Sequence, residues 1–215
     1  MWLTNSSVGR KVVMSVTGIA LILFLTFHCA MNVVALISHE GYNWICEMLG
    51  SNWYAVAATI ALAALFVIHI IYAFWLTWQN RKARGTERYA VTEKPKTVEW
   101  ASQNMLVLGI VLHLINFWSK MMLPELMGVE DPNTTNGIYH IQQTFSNPIF
   151  VVLYLVWLCA LWFHLTHGFW SALQTIGWNN RIWLDRWKCI GNWYTTIIVG
   201  LFALVVIVFF IQSLI

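Results

Sequence analysis

Histidines inside apolar segments are the residues of this chain that could do chemistry. His28, His69 and His113 each lie in a separate uncharged stretch, and His164 and His167 share a fourth. An ionisable side chain is costly in hydrocarbon, so a histidine there normally faces the interior of a helix bundle and serves a function. Neutral imidazole is also a good ligand for transition metals. The sequence therefore predicts a buried cofactor site built from histidines.

The composition places these histidines in membrane-spanning helices. Of 215 residues, 59% are hydrophobic and 10% are charged, and the mean hydropathy is +0.65. Soluble domains carry about 25% charged residues. Because about 20 apolar residues cross a bilayer as a helix, we expect an all-α protein with one integral-membrane domain over residues 1–215, a transmembrane bundle of five helices. The expected spans are about 12–37, 53–79, 100–123, 147–176 and 190–214.

The basic residues predict the orientation of the bundle. All of the 12 Lys and Arg residues except Lys120 lie before the first span, between the second and third, or between the fourth and fifth. By the positive-inside rule, the N-terminus is then cytoplasmic and the C-terminus lies outside. We expect a multi-pass protein of a bacterial cytoplasmic membrane. Because the net charge of +3 comes from loops that flank the membrane, it does not indicate a nucleic-acid partner.

The depths of the histidines match in pairs. At about 1.5 Å rise per residue, His28 and His113 both lie toward the outer surface, on spans that run in the same direction. His69 lies toward the inner surface, as do His164 and His167, again on parallel spans. Depth thus predicts two stacked pairs, each linking helices that can sit diagonally in a four-helix core. It leaves open whether His164 or His167 is the partner of His69.

Two stacked pairs of imidazoles favour two haems of the b type. Bundle cores commonly hold cofactors between facing helices, and histidine is a common axial ligand of haem iron. Zinc is disfavoured because it takes three or four protein ligands, whereas each level offers two nitrogens. Gly109 and Gly168 are expected to leave room for a porphyrin beside the ligands. A single buried histidine could simply link two helices by a hydrogen bond, but four matched in depth favour haem ligation.

Several segments together resemble the di-haem cytochrome b membrane anchor of succinate:quinone oxidoreductases, in its five-helix, single-chain form. They are GRKVVMSVTG near the start, the histidines of the first three spans, and HGFWSALQTIGW in the fourth. The resemblance extends over essentially the whole chain. It implies that His28 and His113 bind the outer haem and that His69 and His167 bind the inner one, with His164 as a neighbour of the inner haem or its alternative ligand.

The resemblance also implies partners and a function. A flavoprotein subunit and an iron–sulfur subunit would dock on the cytoplasmic face, and electrons would pass between them and a membrane quinone, expected to be menaquinone, through the two haems. Succinate or fumarate chemistry would take place in the flavoprotein. Some members carry an acidic residue beside the fourth-span ligand, but this chain has Leu165 there. A proton route through the bundle that depends on such an acid is therefore not expected.

Polar residues near the two surfaces suggest further roles. Arg10, Lys11 and Arg181 are expected to compensate the propionates of the inner haem, with simple anchoring at the membrane surface as the alternative. Glu47 is the favoured quinone-side acid because it directly precedes the second span, and a solvated interfacial acid is the alternative. His140, in the second outer loop, is expected to be exposed.

Ser15 and Thr17 are expected to bond back to their own helix or to cap a polar group near the inner surface.

Two other functions fit parts of the pattern. A b-type cytochrome of a hydrogenase or formate dehydrogenase would also hold haems between helices, but its complex would contain nickel or molybdenum in place of flavin. A proton-coupled transporter could use intramembrane histidines as a relay. It would bind no haem and therefore show no Soret band.

Overall fold

The computed structural model describes residues 6–50, 52–84, 97–129, 131–178 and 180–215. Within these ranges the chain forms helices joined by turns and contains no strand. The all-helical prediction is therefore confirmed. The polar loop between the second and third predicted spans falls mostly outside the described residues.

Eight α-helices and one π-helical turn make up the described part of the chain. They are α1 (Ser7–Ile37), α2 (His39–Gly50), α3 (Trp53–Arg84), α4 (Thr97–His113), the π turn (Leu114–Trp118), α5 (Met122–Leu126), α6 (Gly137–Phe145), α7 (Pro148–Thr175) and α8 (Trp183–Gln212).

Four of these helices are long and apolar enough to cross a membrane. They are α1, the segment Trp53–Gln79 of α3, α7 and α8. The third predicted span corresponds to α4 and the π turn, which together run from Thr97 to Trp118 and include the apolar segment Asn104–Trp118. The structure thus supports a multi-pass membrane protein with four clear spans, and a fifth crossing at α4 stays a prediction.

Local sequence signals explain where the histidine-bearing helices begin and end. The Ser6 side chain accepts a hydrogen bond from the backbone N–H of Gly9 at 2.8 Å and so caps the start of α1. Asn147 does the same for α7 by accepting from the N–H of Ile149 at 2.9 Å, and Pro148 occupies the first turn. Beyond α7 the chain turns at Gly177, whose positive φ of 88° suits glycine. The fourth predicted span therefore has its expected limits.

The π turn lies directly after His113. Its characteristic bond runs from the N–H of Ser119 to the carbonyl of Leu114 at 2.8 Å, five residues apart. Single π turns inside helices occur frequently at functional sites. Regular α-helix in this segment therefore ends at His113, about two turns before Lys120.

The long helices α3, α1, α7 and α4 pack side by side in that order, with α8 against α7 and α1. In the described part of the chain, this order leaves α1 and α4 on either side of α7, and α3 and α7 on either side of α1. This arrangement agrees with the diagonal placement predicted for the helices that carry paired histidines.

The two ends of the bundle differ in construction. One end, which we call the capped end, is covered by α2 and α6, joined by hydrogen bonds from Asn43 to Asn136 and from the N–H of Ile138 to Asn43, both of 3.0 Å. The other, which we call the basic end, carries Lys11 and Lys188. The predicted topology places the capped end outside and the basic end in the cytoplasm.

His140 corrects one expectation about the capped end. It was predicted to be exposed, but it lies in α6 with 5% of its surface accessible, and its Nε2 is 2.8 Å from the carbonyl oxygen of Asn133. Burial lowers the pKa of this imidazole, while its contact with Asn133 acts in the opposite direction. The sequence suggested an open loop because turn residues surround this histidine, whereas the short helix packs into the core beside Ile138 and Ile141.

Candidate cofactor site

The structure brings His28 and His113 together across the bundle. His28 lies on α1 and His113 is the last residue of α4, and their ring centroids are 5.9 Å apart with the planes almost perpendicular at 87°. Both side chains are half-buried. The pair is the one predicted from depth for the outer level. We call it the capped-end pair.

Aromatic rings enclose the capped-end pair. The rings within 6.3 Å, between centroids, are Phe24 and Phe202 beside His28, and Phe117, Tyr154 and Trp157 beside His113. Asn32 donates to the backbone carbonyl of His28 at 2.8 Å, and its amide nitrogen is 3.4 Å from Nε2 of the same residue. Nδ1 of His113 is buried and has no hydrogen-bond partner among the residues that the structure describes. The imidazoles thus sit in a mostly apolar, tightly packed environment.

The space beside Gly109 is filled by protein. A Cβ atom placed on Gly109 would overlap the indole ring of Trp157. The glycine therefore permits close packing between α4 and α7, and does not leave the opening for a porphyrin that the sequence suggested.

A second pair forms nearer the basic end, between His69 on α3 and His164 on α7. Their ring centroids are 6.3 Å apart, and the planes meet at 82°. His167 is exposed, and its ring packs edge-to-face on Trp170 with a centroid distance of 4.9 Å. His164 is thus the histidine of α7 that lies opposite His69. His167 as the ligand stays a prediction, and this geometry favours its alternative; we call His69 and His164 the basic-end pair.

A large cavity adjoins the basic-end pair. Its volume is about 1120 Å³, somewhat above the roughly 300–1,000 Å³ of ordinary ligand pockets. It lies among α1, α3, α4 and α7, and His69, His164 and His167 all line it. A Cβ atom on Gly168 would meet no other atom within 4 Å, so the opening predicted beside this glycine is present.

Phe24 separates the cavity from the capped-end pair. Its ring stacks on His28 with the centroids 5.5 Å apart, and it also lines the cavity. Neither His28 nor His113 is among the cavity-lining residues. The two histidine pairs are therefore stacked along the bundle with an aromatic side chain between them.

The donor set of each pair fits a haem iron better than a metal bound by protein alone. With metal–nitrogen bonds of about 2 Å, as for zinc, two imidazoles on opposite sides of a metal have centroids about 6 Å apart. Both pairs have this separation. Over the described ranges, no group of three or more His, Cys, Asp or Glu side chains is placed to hold a metal ion. Each pair thus offers two imidazoles, the number of axial protein ligands in a bis-histidine haem.

The two levels differ in how well they fit the macrocycle itself. At the basic end, the cavity is lined mostly by apolar side chains and exceeds the volume of an ordinary ligand pocket. At the capped end, Trp157 and Phe24 occupy the space around the imidazoles, so their side chains must move for a flat group to enter.

The other predicted site residues are spread around these levels. Lys11 lines the cavity, whereas Arg10 and Arg181 do not. The guanidinium of Arg10 lies over the ring of Trp75, 5.7 Å from its centroid, and Arg181 is exposed in the turn after α7. Glu47 lies on the exposed side of α2 at the capped end. Of the three predicted propionate partners, Lys11 is thus the one placed at the cavity.

Two neighbours of the histidines had recognisable but weak signals in the sequence. Phe24 is four residues before His28, a spacing that places both side chains on one helix face. Trp157 is seven residues before His164, two turns along the same face of α7. Aromatic residues are too common in this chain for such spacings to have singled them out.

No protein family model, curated protein sequence or solved structure matches this chain.

Proposed function

We propose that this chain is the membrane-anchoring cytochrome b subunit of a succinate dehydrogenase or fumarate reductase, and that it holds two haems of the b type. One observation carries the proposal: two histidine pairs, each joining diagonal helices and each about 6 Å apart, are stacked along one bundle. Bis-histidine haem ligation needs this separation. Two such pairs in one bundle favour haem ligation over a proton relay, which does not need this separation.

His28 and His113 are the proposed ligands at the capped end. At the basic end we propose His69 and His164, because their ring centroids are 6.3 Å apart and both residues line the cavity. His167 then lies one helical turn further toward the basic end, as a neighbour of the haem. This choice replaces the sequence-based preference for His167.

When bound, the haems supply one-electron transfer, and the protein controls the energetics of that transfer. The imidazoles would hold the iron, and the mostly apolar lining of the cavity would tune its reduction potential. Phe24 lies between the two levels and keeps them apart. The ammonium group of Lys11, at the basic end of the cavity, is placed to compensate carboxylates such as propionates.

The basic end is the proposed docking face for the iron–sulfur and flavoprotein subunits. Lys11, Arg186 and Lys188 are positioned there, and Lys188 and Arg186 lie over the rings of Trp170 and Trp183. The capped end is the proposed quinone side, with Glu47 as the candidate acid, since quinone reduction couples electrons to protons. Menaquinone is the quinone we expect. The dicarboxylate chemistry belongs to the flavoprotein.

A reduced-minus-oxidised spectrum of membranes that contain the overexpressed chain tests the proposal. We expect an alpha band of the b type and two haems per chain by pyridine haemochrome analysis. His28→Ala and His69→Ala should each remove one haem. His39→Ala is the matched control, because this exposed histidine at the start of α2 stacks on Phe209 and touches neither pair.

Absence of an alpha band in membranes with verified expression would overturn the haem proposal and leave a proton-coupled transporter as the better candidate. A haem-containing complex with nickel or molybdenum in place of flavin would instead assign the chain to a hydrogenase or formate dehydrogenase.

A further inference from the structure

Thr17 contacts the imidazole of His69 from the neighbouring helix. It lies on α1, with 6% of its surface exposed, and its Oγ1 is 2.9 Å from Nδ1 of His69. The same oxygen is 2.9 Å from the carbonyl oxygen of Val13 and 3.1 Å from that of Met14. The hydroxyl therefore has three polar neighbours, and one of them is a proposed haem ligand.

The chemistry of these neighbours favours one direction for the hydrogen bond between Thr17 and His69. A hydroxyl has a single proton, and backbone carbonyls can only accept. The proton of Thr17 is therefore shared between the carbonyls of Val13 and Met14, as is usual for a threonine inside a helix. The oxygen keeps lone pairs, so it can accept a hydrogen bond from the Nδ1-protonated tautomer of His69. A neutral imidazole protonated at Nδ1 has its free lone pair on Nε2.

We propose that Thr17 is a positioning residue that fixes the tautomer and orientation of His69, so that Nε2 is the nitrogen offered to the haem iron. The inference rests on the proposed function. A hydrogen-bond acceptor behind a ligating histidine orients the ring and raises its basicity, and its loss typically lowers metal affinity about 10–100-fold. A more basic ligand stabilises ferric iron, so Thr17 also holds the potential of the basic-end haem at a lower value.

His69 and His113 differ in whether their Nδ1 atom has a hydrogen-bond partner. Nδ1 of His113 has no hydrogen-bond partner in the described part of the chain, although it is buried. His69 therefore has an acceptor that His113 lacks, and the two haems acquire different surroundings at their ligands. This difference is expected to separate the potentials of the two haems.

The alternative is that the contact only links α1 to α3, as polar side chains commonly do between membrane helices. Thr26 provides a matched control for that role. It lies on the same helix, its Oγ1 bonds back to the carbonyl of Ile22 at 2.8 Å, and it contacts the hydroxyl of Tyr194 on α8 at 2.6 Å. It thus makes the same two kinds of contact without touching a histidine.

The experiment compares Thr17→Val, Thr17→Ser and Thr26→Val in the full chain by redox titration of the haem bands and by haem content. Thr17→Val keeps the shape of the side chain and removes the acceptor. We expect a more positive potential for the basic-end haem alone, together with about 10–100-fold weaker binding of that haem. Thr17→Ser should restore both properties, and Thr26→Val should change neither.

Three results would overturn the inference while leaving the proposed function intact. They are an unchanged potential in Thr17→Val with both haems bound, failure of Thr17→Ser to restore the potential, and an equal shift in Thr26→Val. Absence of haem from the unmodified chain would instead reject the proposed function and this inference with it.

A second measurement covers the case in which Thr17→Val folds poorly. Nitrogen-15 NMR of the unmodified chain, prepared without haem, reports which ring nitrogen of His69 is protonated. We expect protonation at Nδ1, and protonation mainly at Nε2 would contradict the inference.

Discussion

The two histidine pairs differ little in their separation and greatly in their surroundings. Their ring centroids are 5.9 Å apart at the capped end and 6.3 Å apart at the basic end. The basic-end pair adjoins a cavity of about 1120 Å³, whereas aromatic rings fill the space around the capped-end pair. Helix packing fixes the distance between the paired histidines, but the side chains between the helices decide whether a cofactor has room. The spacing of the histidines and the space around them are therefore separate properties of the bundle.

This contrast implies that a flat ligand must displace side chains at one level and not at the other. At the basic end, a flat ligand enters space that is already open. At the capped end, the indole of Trp157 lies against Gly109, and a ligand must displace it or a neighbouring ring. We therefore expect the basic-end level to take up haem more readily than the capped-end level.

The largest effect is expected from removing a basic-end ligand. His164→Ala should lower the haem content from two per chain to one, because the iron would lose a protein ligand opposite His69. His167→Ala should keep both haems, since its ring packs on Trp170. Haem analysis of both variants, purified in parallel, measures this directly. If His167→Ala loses a haem and His164→Ala keeps both, the sequence-based choice of His167 is right and the assignment from geometry is wrong.

A somewhat smaller effect is expected from filling the cavity without touching a ligand. In Gly168→Phe, the new side chain extends into open space beside the basic-end pair, so it should compete with the haem and weaken its binding at least about tenfold, equivalent to about 1.4 kcal/mol. Gly200→Phe is the matched control, because Gly200 also has open space around it but lies on α8, away from the cavity.

Haem titration into the haem-free variants distinguishes the two glycines. Equal binding by Gly168→Phe and the unmodified chain would mean that the cavity is not the haem site. Equal loss in both variants would indicate that bulk on any helix disturbs the bundle.

The capped end provides the converse test, in which a larger side chain is added where the packing is already tight and the stability of the fold is measured. Gly109→Ala places a methyl group against Trp157 and should destabilise the fold by about 1–3 kcal/mol, as overpacking generally does. Gly168→Ala should be neutral or slightly stabilising, because alanine favours the helix and the site is open. Chemical unfolding in detergent measures both.

A double variant shows whether the destabilisation arises at the predicted contact. Adding Trp157→Leu to Gly109→Ala should cost less than the sum of the two single changes, because the leucine leaves room for the new methyl group. Strict additivity would place the origin of the effect elsewhere.

The sequence predicted the pairing of the histidines better than the identity of each ligand. His28 and His113 could be paired because their depths follow from the ends of long helices. His164 and His167 are three residues apart, about 4.5 Å along the helix axis. This difference is comparable to the uncertainty in where the span begins. The rotation of α7 about its axis chooses between them, and it depends on packing against other helices, which depth does not describe.

The sequence also did not show which of the two glycines has open space beside it. Gly109 and Gly168 look alike in the chain, each lying beside or one turn from a histidine. In the structure, one glycine receives the indole of Trp157 and the other faces the cavity. The surroundings of each glycine depend on side chains of other helices. A local sequence pattern does not contain that information.

The smallest effect concerns the labelling rate of Cys46, which reports whether the packing at the capped end keeps water away from this thiol. Burial raises the pKa of the Cys46 thiol on α2 to about 11, against the opposing influence of the Tyr42 side chain and the Gly137 backbone. Only the thiolate reacts with maleimides, so at pH 8 about one thiol in a thousand should be reactive, compared with about one in four for an ordinary cysteine.

The pH profile of labelling at Cys46, followed by mass spectrometry of the peptide, tests that closure. Because pH stays below the pKa, the thiolate fraction and the rate should rise about tenfold for each unit between pH 7 and pH 10. A rate that levels off near pH 9 would mean that α2 and α6 leave the thiol hydrated. In that case the contrast between the two ends would be confined to the surroundings of the histidines. A continued rise would extend the closed packing from the capped-end pair to the surface of the bundle.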